Sequence, residues 1–321
     1  MQDYNGGAPC GIVFFAVECD RMRYMKTMSK IIMTFSMAFA LVCNRSAAEE
    51  VPKIHISAVS VPPQKFIVNR VGGELWKCVV LADKGKDPHL FEPTPKLMEE
   101  LRESEIFFKV GMPFENVVIR KLAKTNPELK VVDMAGDGEP HVEHAENTET
   151  EESHEHAEDP HGWMSLTELT KYAYVTAEEL STLDPANEAE YGKRAKAFAA
   201  EVDSVRTNLT KRIKVAGITA IAVYHPAWGH FAEEFGLEQI AVESHGKSPG
   251  PRHLEAIGKD VTKHSVKKIF VQNSMEGARI KAFAQRQRLE IVEVSPLGDD
   301  PIATIKATVD ALCRPAPKEV K

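Results

Sequence analysis

The sequence predicts an α/β protein of two lobes, each with a mainly parallel sheet flanked by helices, joined by one long rigid helix. Three observations predict it. Short β-branched runs alternate with helical patterns from residue 53 onward, the rhythm of βαβ units. One helical periodicity near the middle is far longer than the others. A second α/β series follows it.

In chain order, strands are expected at 54–60, 77–81, 106–111 and 131–134, with helices between them at 63–71, 94–103 and 115–125. An acidic, histidine-rich tract, 136–159, then interrupts the alternation. It has almost no large apolar residues, so it cannot bury enough surface to order itself. It is expected to be disordered without metal and partly ordered with it. His161 then opens a further helical pattern. The long helix starts at Asp184-Pro185. Tyr191, Ala195, Phe198, Val202, Val205, Leu209 and Ile213 recur at steps of three and four, which places them on one face. Gly217 ends it, and no hinge rich in Gly or Ser adjoins it. The second series has strands at 219–224, 239–243, 268–272 and 290–294 and a last helix at 302–313. The expected division is a first lobe at 49–183, the linking helix at 184–216 and a second lobe at 217–321.

Residues 1–48 differ in kind. Lys26 and Lys30 precede an apolar run at 31–42, and Ser46-Ala47-Ala48 follows. A basic region, an apolar core and small residues make a secretory signal. The run is shorter than the roughly 20 apolar residues of a membrane-spanning helix. The reading is a start at Met25, cleavage after Ala48 and a periplasmic protein. An uncleaved anchor is the alternative. Lipidation of Cys43 is disfavoured because Val42 is larger than the residue that usually precedes a lipidated Cys. Beyond this leader only Cys78 and Cys313 remain. They lack Cys-x-x-Cys spacing, which argues against a cysteine zinc site. An exported protein can oxidise such a pair, but sequence does not show whether they are neighbours.

The formal net charge is -7, and no basic stretch interleaved with aromatics appears, so nucleic-acid binding is not expected. Enzyme signatures are missing too. There is no His-Glu-x-x-His helix and no Gly-x-Ser-x-Gly elbow, so a zinc hydrolase is the weaker alternative. What the chain has is histidine. His141, His144, His154, His156 and His161 lie among Glu and Asp, and the tract ends in Asp159-Pro160-His161, a tripeptide already seen as Asp87-Pro88-His89. His225 follows the apolar run Thr219-Ala220-Ile221-Ala222-Val223-Tyr224 and precedes Pro226. Ligands of parallel α/β sheets gather at the carboxyl ends of strands, so loops carrying His89, His161 and His225 can converge between the lobes. Three imidazoles suit Zn²⁺, with the fourth position open or filled by oxygen. His141/His144 and His154/His156 are expected to form weaker loop sites, and the tract's charge to concentrate cations near the cleft. Glu243 ends a strand near the same rim, where it can orient a ligand His. His230, His245, His253 and His264 are read as surface or structural residues, with flanking of the cleft as the alternative for His230, five residues from His225.

The chain resembles the metal-binding solute receptors of ABC transporters, in the cluster that takes up zinc and manganese. The matching pieces are Asp87-Pro88-His89-Leu90-Phe91-Glu92-Pro93-Thr94-Pro95, Gly111-Met112-Pro113-Phe114-Glu115 and Asp159-Pro160-His161-Gly162-Trp163-Met164. They continue with His225-Pro226-Ala227-Trp228-Gly229, Phe235-Gly236-Leu237 onward to Glu243, and Val294-Ser295-Pro296-Leu297. The resemblance implies two α/β lobes on a rigid helix, with His89, His161 and His225 as metal ligands. It implies a binding protein rather than an enzyme, whose partners are zinc and a membrane permease with its ATPase. The protein itself is expected to be a monomer. The chain departs from the family at the fourth ligand, where many members have Asp in place of Ser295. Asp299 or Asp300 can supply an oxygen, but water or a tract histidine is favoured. Imidazole donors favour zinc over manganese, which prefers carboxylate oxygen, and the resemblance adds that His-rich acidic loops at this position are a feature of zinc receptors. A manganese or other divalent-metal receptor, or a metal-binding adhesin, is the alternative function.

Overall fold

The computed structural model describes residues 53–83, 88–136, 159–243 and 249–315. The leader, the tract histidines His141, His144, His154 and His156, and His245 lie outside the described residues.

The first sheet has the order β2-β1-β3-β4, formed by β1 (His55–Val59), β2 (Trp76–Val80), β3 (Ile106–Lys109) and β4 (Lys130–Asp133). The second has the order β6-β5-β7-β8, from β5 (Ala220–Val223), β6 (Glu238–Ala241), β7 (Lys268–Val271) and β8 (Glu290–Glu293). Every pairing is parallel. The two sheets therefore share one topology. In each, the direction of winding reverses between the first and third strands, which opens a crevice at the carboxyl edge.

The carboxyl ends of the strands fall a residue or two inside the expected limits, and one of them shows why. The Ser60 and Val61 N–H groups donate to Gln64 Oε1, at 2.9 Å and 3.1 Å, rather than continuing β1. This capping contact opens helix α1 (Pro62–Gly72), where Pro62 and Pro63 occupy the first turn, a position that needs no N–H donor. Thr94 accepts from Leu97 N–H to start α2 (Pro95–Leu101), and α3 (Glu115–Ala123) follows β3. The pattern after His161 is α4 (Leu166–Leu183), capped by Ser165.

The long helix α5 is Glu188–Ala216, 29 residues, about 43 Å at 1.5 Å per residue. It begins later than the sequence implied, because Pro185–Asn187 form a separate 3-10 turn. Asp184 holds that turn, accepting from Asn187 Nδ2 at 2.8 Å and from the Tyr191 hydroxyl at 2.6 Å. These bonds keep the Asp184 carboxyl below the usual carboxylate range against the opposing effect of burial. Gly217, with φ 65°, ends the helix as expected.

The lobes are more than two bodies on a rod. Helix α5 packs against α1 and α4 and against α9 (Pro301–Cys313). One continuous apolar core runs from Ile67 and Phe107 through Leu169, Tyr172 and Phe198 to Trp228, Phe231, Phe270 and Ile305. Burying each such side chain contributes about 1.5–3 kcal/mol. Strand β5 alternates: Ile221 and Val223 face this shared core, while Ala220 and Ala222 face a second cluster under α7 (Pro251–Lys263) and α8 (Ser274–Gln287). Cys78 and Cys313 are unbridged, and burial pushes the Cys78 thiol up to about 12. Among the described residues, no helix is long and apolar enough to cross a membrane.

Candidate metal centre

His89, His161 and His225 come together at the carboxyl edges of the two sheets. Their ring centroids form a nearly equilateral triangle, 5.4 Å from His89 to His161, 5.1 Å from His89 to His225 and 5.3 Å from His161 to His225. One nitrogen of each lies within 4.8 Å of the others. Tetrahedral ligands at about 2.0–2.1 Å from zinc stand roughly 3.3 Å apart, so small side-chain rotations would close the group on one ion.

Each histidine is delivered differently. His89 is exposed, on a 3-10 turn, Pro88–Leu90, beyond β2. His161 is buried and precedes a 3-10 turn, Gly162–Met164. Its neighbour Trp163 is fully buried and donates from Nε1 to the Pro296 carbonyl at 2.9 Å, fastening this turn to the loop after β8. His225 leaves the end of β5, where Tyr224 N–H bonds the Phe270 carbonyl of β7.

Two ligand candidates have their second nitrogen engaged by a carboxylate. His161 Nδ1 lies 2.6 Å from Asp159 Oδ1, and His225 Nδ1 lies 2.9 Å from Glu243 Oε2. An ionised carboxylate only accepts, so Nδ1 must carry the proton and Nε2 presents its lone pair. This is how metal-binding histidines are commonly oriented. Burial would raise the Asp159 carboxyl, but the His161 hydrogen bonds and charge outweigh it and hold the group below the usual carboxylate range.

The fourth-ligand candidates lie on the loop between β8 and α9. Asp300 caps α9, accepting from Ala303 N–H at 2.9 Å. Asp299 is exposed, and neither aspartate belongs to the close group of ligand atoms. Ser295 is exposed, and its hydroxyl accepts from Leu297 N–H at 3.2 Å. His253 is exposed on α7, and His264 meets the Thr219 hydroxyl at the opposite, amino edge of the second sheet.

Sequence reasoning gave no role to Glu115, which the structure places under the crevice. It is buried and accepts from the Ser60 hydroxyl, from Val110 N–H at 2.9 Å and from Gly111 N–H at 2.8 Å. It thereby ties the ends of β1 and β3 together. Gly111, with φ 89°, lies against Pro160 of the His161 loop. Burial raises the Glu115 carboxyl to about 7 despite these bonds, and nearby Asp133 adds to the rise. Glu276 repeats the arrangement in the second lobe, accepting from Gln272 N–H just beyond β7. Its carboxyl is raised as well, chiefly by burial. The sequence signal for both is a glutamate in the first turn of the helix after the third strand.

The family model for the zinc-uptake complex component A, periplasmic, ZnuA, matches residues 58–312. The chain belongs to this family. ZnuA-family members are metal-binding receptors, not enzymes. A crystal structure of ZnuA superposes with a TM-score of 0.71 at 27% identity, covering 81% of this chain and 98% of that one. A putative metal-binding protein of Chlamydia trachomatis is 22% identical over 86% of this chain and 97% of its own length. The zinc-binding lipoprotein AdcA of Streptococcus pneumoniae is 22% identical over 85% of this chain, which spans 56% of that protein. The Mn-bound periplasmic metal-binding protein from Candidatus Liberibacter asiaticus shares the fold, with a TM-score of 0.66 at 17% identity.

Proposed function

We propose that this chain is an extracytoplasmic receptor that captures Zn²⁺ on His89, His161 and His225 and delivers it to the membrane permease of an ABC transporter. The observation that carries the reading is the histidine triangle, two of whose rings bond carboxylates through Nδ1, which leaves Nε2 for the ion. Imidazole nitrogen suits zinc, whereas manganese prefers a site richer in carboxylate oxygen. Water or a tract histidine completes the coordination, since Asp300 is occupied as a helix cap. Residues 1–48 direct export and His141, His144, His154 and His156 collect the ion at lower affinity. The mature protein works as a monomer. The shared core between the lobes supports a receptor that changes little on loading.

The test is metal analysis and competitive titration of the mature protein against zinc and manganese, beside a triple His89/His161/His225→Ala variant. One tightly held zinc per chain, lost in the variant, is the expected result. Stoichiometric high-affinity zinc retained by the variant would overturn the ligand assignment, and a preference for manganese would overturn the cargo. Loss of growth under zinc limitation on deletion of the partner permease, unrelieved by the receptor alone, is the result expected for delivery.

A further inference from the structure

The His161 segment belongs to the first half of the chain, yet one short helix of the second lobe grips it at both ends. That helix is α6 (Gly229–Phe235), which begins just beyond the loop that carries His225. At the near end, Asp159 spends a single oxygen, Oδ1, on both the His161 N–H at 3.0 Å and the His161 ring at 2.6 Å. Its other oxygen, Oδ2, lies so close to Gly229 that a methyl group there would overlap it. Its backbone carbonyl accepts from His230 Nε2 at 2.8 Å. At the far end, Glu234 accepts from Leu166 N–H at 2.6 Å and from Thr167 N–H at 3.1 Å and hydroxyl at 3.0 Å, holding the start of α4. Helix α6 is itself fixed. Trp228 and Phe231 are fully buried, and Trp228 N–H donates to Gln239 Oε1 at 2.8 Å.

We propose that Asp159, Gly229, His230 and Glu234 form an inter-lobe clasp that sets the separation and orientation of His161 relative to His225. The proposal rests on the reading of those two histidines as zinc ligands. The clasp makes them a preorganised pair, so that capture costs little rearrangement. His230 and Gly229 are then positioning residues for the centre, although neither touches the ion. Gly229 is required because a side chain there displaces the carboxylate that orients His161, and no positive φ demands a glycine at this position.

The test separates positioning from folding. Gly229→Ala removes no side chain, and urea unfolding of the apo variant reads out folding separately from zinc affinity. Its zinc affinity is expected to fall at least tenfold, with a shifted visible spectrum in the Co²⁺-loaded protein. Asp159→Ala is expected to weaken zinc comparably, and adding Gly229→Ala to it to cost nothing more, since the two act through one contact. His230→Gln keeps a donor for the Asp159 carbonyl and is expected to retain affinity that His230→Ala loses. Wild-type zinc affinity in Gly229→Ala, or losses that simply add in the double variant, would overturn the clasp. His161→Ala is measured alongside. Full zinc affinity in that variant would sink the ligand assignment itself, a failure distinct from a clasp that does not matter.

Discussion

Glu243 Oε2 stands 2.9 Å from His225 Nδ1, so of the two ring nitrogens only Nε2 keeps a lone pair for metal. The pairing crosses neighbouring strands, since His225 follows β5 and Glu243 follows β6, and the Glu243 N–H also bonds the Tyr224 carbonyl. The carboxylate therefore fixes the tautomer and the ring plane together. Glu243→Gln keeps an acceptor but removes the charge that strengthens the imidazole as a donor to metal. Competitive chelator titration should show zinc affinity lowered about tenfold, and about 10–100-fold in Glu243→Ala. Unaltered affinity in both variants would remove Glu243 from the site.

Glu115 gives the apo protein a pH dependence of definite sign. Its carboxyl is raised from 4.5 to about 7 by burial, so the folded state holds a proton that the unfolded state releases. The associated stability is fully present below about pH 4.5 and is lost as pH rises through 7, a change on the order of 3 kcal/mol. Asp159 and Asp184, with lowered carboxyls, act oppositely and at lower pH. Resistance of the metal-free protein to urea should therefore fall between pH 5 and pH 8, and Glu115→Gln should flatten that slope. An equal slope in the variant would assign the effect elsewhere.

Much of the fold was legible because parallel strands buried on both faces read as apolar runs, as in Ile106-Phe107-Phe108 and Ile269-Phe270-Val271. Their ends were less so, because Gln64 truncates β1 from the next helix through a side chain. The three histidines announced themselves through local context, two in Asp-Pro-His and one after a strand. Their support did not. His230 meets Asp159 across 71 positions, and Glu234 meets Leu166 across 68. No local pattern encodes such a partnership. A structural role for His230 was legible from sequence, but its partner was not, since the contact exists only once the lobes share their core. Asp300 shows the converse ambiguity, since a carboxylate two residues before a helical pattern serves a cap as readily as a metal.

The far edge of the first sheet offers a control. Trp76 Nε1 donates to the Tyr191 hydroxyl at 3.0 Å, and that hydroxyl donates to Asp184 at 2.6 Å. The chain pins the start of α5 to β2 at the amino ends of the strands, away from the histidines. Tyr191→Phe leaves the Trp76 N–H buried without this partner and should cost about 1–3 kcal/mol. Urea midpoints should fall while zinc affinity in the folded protein stays unchanged. A tenfold change in affinity would show that stability at the base of α5 is coupled to the centre.

Ser295 tests the choice of cargo. It sits beside Pro296, whose carbonyl is held by Trp163, two residues beyond His161. The loop after β8 is thus fastened to the turn that delivers one ligand candidate. The serine hydroxyl bonds Leu297 N–H and brings no charge. Ser295→Asp adds a hard oxygen donor, which manganese values more than zinc does. Parallel titrations should show manganese affinity rising about tenfold, with zinc changed much less, so that the selectivity ratio narrows. Equal gains for both metals would mean that the carboxylate acts only as added charge near the centre. No gain for either would place residue 295 beyond reach of the ion, leaving water or the histidine tract to complete its coordination.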